Sequence, residues 1–163
     1  MYVPEAYFQG RKINGYSSET APIFFPNQVG GYMPATPAST KNRPFGGMPP
    51  MGGRPLEGDK KPGGMPGMSP GMDGSKRQSA VLMALSKGYV VASAGARGRT
   101  TKNNEGMYTG KVPAAIVDLK AAIRYLKFND KKMPGDASKI ISNGTSAGGA
   151  ISTLLGATGN NLD

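Results

Sequence analysis

Residues 139–155 restrict the possible folds more than any other stretch. Lys139-Ile140-Ile141-Ser142-Asn143 is a short β-branched run, and Gly144-Thr145-Ser146-Ala147-Gly148 is a glycine-flanked turn. Ile151, Leu154 and Leu155 then recur at helical spacing. A strand that turns straight into a helix keeps its apolar residues covered only if the helix folds back on a sheet. The pattern therefore predicts an α/β fold, and the residues upstream repeat it.

Ala21-Pro22-Ile23-Phe24-Phe25 and Tyr89-Val90-Val91-Ala92-Ser93 are bounded apolar runs of strand length. Between them, Val81, Ala84 and Leu85 share one face of a helix expected over 76–87, with Ser75 as N-cap and Gly88 at C′. Pro113 opens a further helix, in which Ile116, Leu119, Ile123 and Leu126 recur at spacings of three and four up to Asn129. Tyr2-Val3 reads as the end of a strand stopped by Pro4, residues 11–20 as a turn, and Pro134-Gly135-Asp136 as another. Alternation of this kind implies parallel strands with helices on both faces. The run 89–93 is expected to lie between 21–25 and 139–143.

Composition departs from a globular average in one region. Of the 163 residues, 25 are Gly and 14 are Pro, and they crowd into residues 30–75. Such a stretch buries too little apolar surface to offset its ordering entropy, so residues 33–75 are expected to form a mobile Met/Gly/Pro-rich insertion. The chain has no Cys and no His. That excludes thiolate chemistry and disulfides, and removes the commonest metal ligand and general base. No metal or organic cofactor is implied. No run of about 18 apolar residues occurs, and the N-terminus has no apolar signal-peptide core, so no membrane segment is expected. The compartment, bacterial cytoplasm or secreted, and the oligomeric state stay open.

The net charge of +10 is concentrated in residues 76–112, which hold seven Lys or Arg against one acidic residue. Arg97, Arg99 and Lys102 form the densest cluster, on a loop leaving a strand. Buried structural pairing is the favoured reading of Arg97 and Arg99, with an anion site as the alternative. No nucleic-acid motif accompanies the charge, so nucleic acid is not an expected partner.

The chemistry is carried by Gly144-Thr145-Ser146-Ala147-Gly148, which fits G-x-S-x-G in its required strand-before, helix-after setting. On such an elbow Gly144 and Gly148 let strand and helix approach, and the Ser146 hydroxyl stands clear of the sheet as a nucleophile. An oxyanion hole needs two further donors. The N–H of Ala147 supplies one, at a helix N-terminus, and the small residues Gly30 and Gly31 after the 21–25 strand supply a loop for the other.

Three stretches together resemble bacterial tannases and related feruloyl-esterase-like hydrolases: Pro26-Asn27-Gln28-Val29-Gly30-Gly31-Tyr32, Ser93-Ala94-Gly95-Ala96-Arg97-Gly98-Arg99-Thr100-Thr101-Lys102, and the turn from Asn143 through Ala147. The likeness runs along nearly the whole chain except the insertion. It implies an α/β-hydrolase fold with an inserted lid domain and hydrolysis of galloyl and similar phenolic esters. It assigns Ser146 as nucleophile and Ala147 with the Gly30-Gly31 loop as oxyanion donors, acting on a small-molecule ester.

Hydrolases of this fold order their triad Ser, Asp or Glu, then His. Residues 147–163 hold no His, and Asp163 comes too soon after the elbow helix to return beside one. The chain is therefore expected to be an incomplete α/β-hydrolase domain over 1–163, truncated at both ends and inactive alone. The rival readings are a general carboxylesterase or peptidase on the same fold, and a non-catalytic binding protein that retains the elbow.

Overall fold

The computed structural model describes residues 1–40 and 79–159. In chain order these form α1 (Glu5–Phe8), β1 (Pro22–Pro26), α2 (Ala80–Ser86), β2 (Val90–Val91), α3 (Val112–Phe128), a 3₁₀ turn (Asp130–Lys132), β3 (Asp136–Asn143) and α4 (Ala147–Ala157). The three strands make one parallel sheet in the order β2-β1-β3. Helices cover both faces. On one, Ile23 and Phe25 of β1 pack with Ala115, Leu119 and Leu126 of α3 and with Ile151 and Leu155 of α4. On the other, Val81 and Ala84 of α2 pack with Val91 and Phe24. The alternation of Phe24 against Ile23 and Phe25 is the period-2 rule of a strand buried on both sides.

The sheet order corrects one expectation: β1, not β2, is the central strand. β1 is buried at Pro22, Ile23, Phe25 and Pro26, with Ile23 2% and Phe25 1% exposed. Such a strand belongs where neighbours and helices cover it from every side. β2 contributes only Val90 and Val91, and its far edge is closed by Tyr2, which forms an antiparallel bridge with Val91. After β2 the chain crosses back over β1 through α3, so the direction of winding reverses between β1 and β3. Ligands of open α/β sheets bind beyond the carboxyl ends of the strands at such a reversal.

The local signals acted largely as their chemistry demands. Pro113 lies in the first turn of α3, and Asn129 caps its end. Leu119 is fully buried and Leu126 nearly so. Gly88 adopts φ +84 after α2, and its added Cβ would meet Ile13 O at 2.9 Å, so a side chain there meets both strain and backbone. The N-cap of α2 is Ser79; Ser75, the expected cap, lies outside the described residues. The short helix α1 interrupts the segment after Pro4 and anchors Tyr7, whose hydroxyl donates to the Gly88 carbonyl. Leu154 is 40% exposed on α4, so the apolar face there is the Ile151–Leu155 line alone.

Residues 33–40, expected as the start of the insertion, are held by the fold. Ala35 bridges Ala96, and Ala38 is buried, its N–H donating to Ser93 Oγ at 2.9 Å. The rest of that expectation, 41–75, lies outside the described residues. Among the described residues no helix is long and apolar enough to cross a membrane.

Candidate active site

Ser146 sits between the last residues of β3 and the first turn of α4, with φ 56 and ψ −122. A non-glycine residue in that region is strained, by about 1–3 kcal/mol, and persists only where its surroundings impose it. Here the constraint is the abrupt change from strand to helix: Gly148 and Gly149 already donate to the carbonyls of Thr145 and Ser146, at 3.0 and 2.9 Å. Ser146 is exposed, and among the described residues its hydroxyl has no hydrogen-bond partner. Ala147 is the first helical residue and is 7% exposed, and the N–H at that position has no acceptor inside an α-helix.

The loop after β1 leaves the sheet beside this elbow. Pro26 pairs with Asn143 in the last register position, and the Asn27 N–H donates to the Asn143 carbonyl at 2.8 Å. Further along the loop, Met33 N–H donates to Gly30 O at 3.0 Å, closing a turn whose central residues Gly31 and Tyr32 have φ 56 and 58. Two consecutive positive φ angles mark a type I′ turn. A Cβ at Gly30 or Gly31 would have no heavy atom within 4 Å, so both present backbone to open space.

The elbow glycines have a different surrounding. A Cβ on Gly144 would fall 2.6 Å from Asn27 Nδ2, and one on Gly148 2.6 Å from Asn27 Oδ1 and 3.1 Å from Val29 O. The two glycines of the motif thus flank the carboxamide of Asn27. That side chain is 5% exposed. Its Nδ2 lies within hydrogen-bond reach of Asn143 O (3.2 Å), Gly148 O (3.1 Å) and Ser152 Oγ (2.9 Å). Its Oδ1 accepts from Val29 N–H at 3.4 Å. Sequence reasoning gave Asn27 no role. The available signal was a polar residue at the end of a strand apolar on both faces, where burial demands partners.

The basic loop is tied down nearby. Arg97 forms a two-pronged ion pair with Asp118 of α3, its Nη2 2.7 Å from Oδ1 and its Nε 3.0 Å from Oδ2. The hydrogen bond from the guanidinium holds the Asp118 carboxyl below its usual range and raises Arg97. The pair faces solvent, with side chains 44% and 23% exposed, so the pairing is structural but not buried as expected. Arg99 uses its backbone: its N–H donates to Tyr32 O at 2.8 Å and so fixes the turn after Gly31. Its Nε lies 3.4 Å from Met33 Sδ. Lys102 stacks over Tyr108, 4.6 Å from the ring centre.

Among the described residues no carboxylate–lysine ion pair involves a neighbour of Ser146. Lys139 and Asp136 bind each other at 2.7 Å, with Asp136 at the opposite end of β3 and Lys139 midway along it. Among the described residues no three His, Cys, Asp or Glu side chains come together to hold a metal ion.

The BD-FAE family matches residues 69–163. The crystal structure of Fusobacterium nucleatum tannase is similar at 50% identity over 96% of this chain, with a TM-score of 0.74. The chain belongs to the tannase and feruloyl-esterase-like α/β-hydrolases. Within that family, a tannin acyl hydrolase in complex with ethyl gallate is 42% identical over 96% of the chain, with a TM-score of 0.71. Tannase from Lactobacillus plantarum is 41% identical over 95%, with a TM-score of 0.70. The chain covers 27%, 28% and 27% of the lengths of these three proteins. No curated protein matched it.

Proposed function

We propose that the protein carrying this chain is a serine carboxylic-ester hydrolase acting on phenolic, galloyl-type esters, with Ser146 as nucleophile. The observation that carries the reading is the backbone of Ser146: φ 56 and ψ −122 in a serine that joins a parallel strand to a helix. That conformation turns the chain from strand into helix and leaves Ser146 exposed at the end of the sheet. The similarity to a tannin acyl hydrolase holding ethyl gallate supports the ester class.

In this reading Ser146 Oγ attacks the acyl carbon and passes its proton to a histidine. The 163 residues contain none, so the base is assigned to sequence outside them. The Ala147 N–H and an N–H of the Gly30-Gly31 turn stabilise the oxyanion. The alcohol leaves with the proton held by the base. Water then cleaves the acyl-serine, which releases the acid and restores Ser146.

The test is hydrolysis by the whole protein of ethyl gallate, an aliphatic ethyl ester and a short peptide, each with Ser146→Ala as control. Preference for the gallate supports the proposal. Preference for the aliphatic ester or the peptide replaces the substrate class, and no turnover of any substrate favours a binding protein that retains the elbow.

A further inference from the structure

We infer that Asn27 is a positioning residue, whose carboxamide sets the distance between the two halves of the oxyanion hole. The inference rests on the esterase reading of Ser146. The proposed donors come from two separate segments, the loop after β1 and the first turn of α4, and the sheet alone does not join them beyond Asn143. Asn27 does. Its Nδ2 reaches Asn143 O on the elbow strand, and Gly148 O and Ser152 Oγ on the elbow helix, while its Oδ1 takes the Val29 N–H of the loop. Ser142 Oγ donates to Ser152 Oγ at 2.9 Å, which fixes the hydroxyl that Asn27 uses.

The orientation of the carboxamide is set by chemistry. Two acceptors of Nδ2 are backbone carbonyls, which cannot donate, so the reverse orientation would press Oδ1 against two oxygens. The side chain is buried, and Gly144 and Gly148 leave room for it. This gives the glycines of the motif a second role here. They admit the Asn27 carboxamide as well as bringing strand and helix together. Aspartate at this position would keep the acceptor facing Val29 and lose the donor facing the elbow. Its ionised form would also repel two carbonyls, and its protonated form could donate again.

The experiment is steady-state hydrolysis of ethyl gallate by the whole protein, with circular-dichroism melts to select folded variants. Asn27→Ala is expected to lower kcat by about 10²-fold with KM within about twofold, because an oxyanion contact is made fully only in the transition state. Asn27→Asp is expected to regain activity relative to wild type as pH falls, and Ser152→Ala to lose about tenfold in kcat. Should Asn27→Ala fail to fold, Asn27→Asp and Ser152→Ala decide. A folded Asn27→Ala with unchanged kcat overturns the inference, as does a rise confined to KM. An Asn27→Asp to wild-type ratio independent of pH, or full activity in Ser152→Ala, also overturns it. Ser146→Ala separates the two levels. If that variant is dead while the Asn27 and Ser152 variants are fully active, only the positioning role fails. If Ser146→Ala keeps turnover, the esterase reading fails first.

Discussion

Phe25 and Ser142 are register partners on adjacent parallel strands, one position before Pro26 and Asn143 end the ladder. Phe25 points into the core, 1% exposed, while Ser142 reaches Ser152 of α4. This pairing places the end of β1 and the end of β3 side by side, so the loops that carry the Gly30-Gly31 turn and Ser146 both leave the carboxyl end of the sheet.

Glycines at this end of the sheet and elsewhere should respond to alanine in opposite directions. Gly148→Ala would put a Cβ 2.6 Å from Asn27 Oδ1 and 3.1 Å from Val29 O, both held in place. A loss of about 1–3 kcal/mol is expected, as for overpacking a filled core. Gly156→Ala, in the last turn of the same helix with nothing within 4 Å, should gain about 0.5–1 kcal/mol. Urea denaturation of both variants checks the sign. Equal effects would mean that Asn27 is not packed against the elbow.

Gly31 should be sensitive through its backbone and its neighbourhood, not through crowding by protein. Its φ of 56 suits glycine, and a Cβ would meet no heavy atom within 4 Å. Gly31→Val in the whole protein is expected to cost about 10²-fold in kcat, the scale of one lost oxyanion donor. Its melting temperature should drop only by what a β-branched residue at positive φ demands. An unchanged kcat would remove Gly31 from the site.

Acid titration should find Asp136 ionised unusually far down. The hydrogen bond from Lys139, then those from the Ser138 hydroxyl and N–H, hold its carboxyl at about 2. The folded value lies below that of an unfolded aspartate, about 3.9. The contribution of the pair to stability is therefore complete above about pH 4 and is lost as pH falls from there through about 2. A carboxyl-carbon NMR titration should give a midpoint near 2, and Lys139→Met should raise it. A midpoint left unchanged in Lys139→Met would remove the lysine as its main cause.

The elements were legible because each obeys a local rule. Pro113 with the Ile116-to-Leu126 period could only be an amphipathic helix, and Gly88 could only end one. The elbow was legible for the same reason: strand, glycine, serine, glycine and helix are consecutive. The sheet order was not, since neighbourhood depends on how buried each strand must be. Ile23 and Phe25 are sealed on one face while Phe24 packs on the other, and no sequence spacing states that β1 therefore goes in the middle. Asn27 escaped for a related reason. Its partners lie 116 to 125 residues away, at Asn143, Gly148 and Ser152, and a polar residue at a strand end reads as a simple turn until those partners are in place. The burial expected for Arg97 does not occur: it and Asp118 keep 44% and 23% of their side chains exposed, so the pair stays wet.

The 163-residue chain by itself should be chemically quiet. A serine hydroxyl is a weak nucleophile until a base takes its proton, and the chain has no His. Lys139 is occupied by Asp136. No hydrolysis of ethyl gallate is expected from it, and rapid hydrolysis would reveal another base within these residues.

The most direct test of the central claim is covalent. The whole protein is treated with a fluorophosphonate, and the modified residue is located by mass spectrometry. A single adduct on Ser146 is expected, formed at a rate that falls together with ethyl gallate turnover and absent in Ser146→Ala. An adduct on another residue, or turnover that survives Ser146→Ala, would contradict the assignment of this elbow as the catalytic centre.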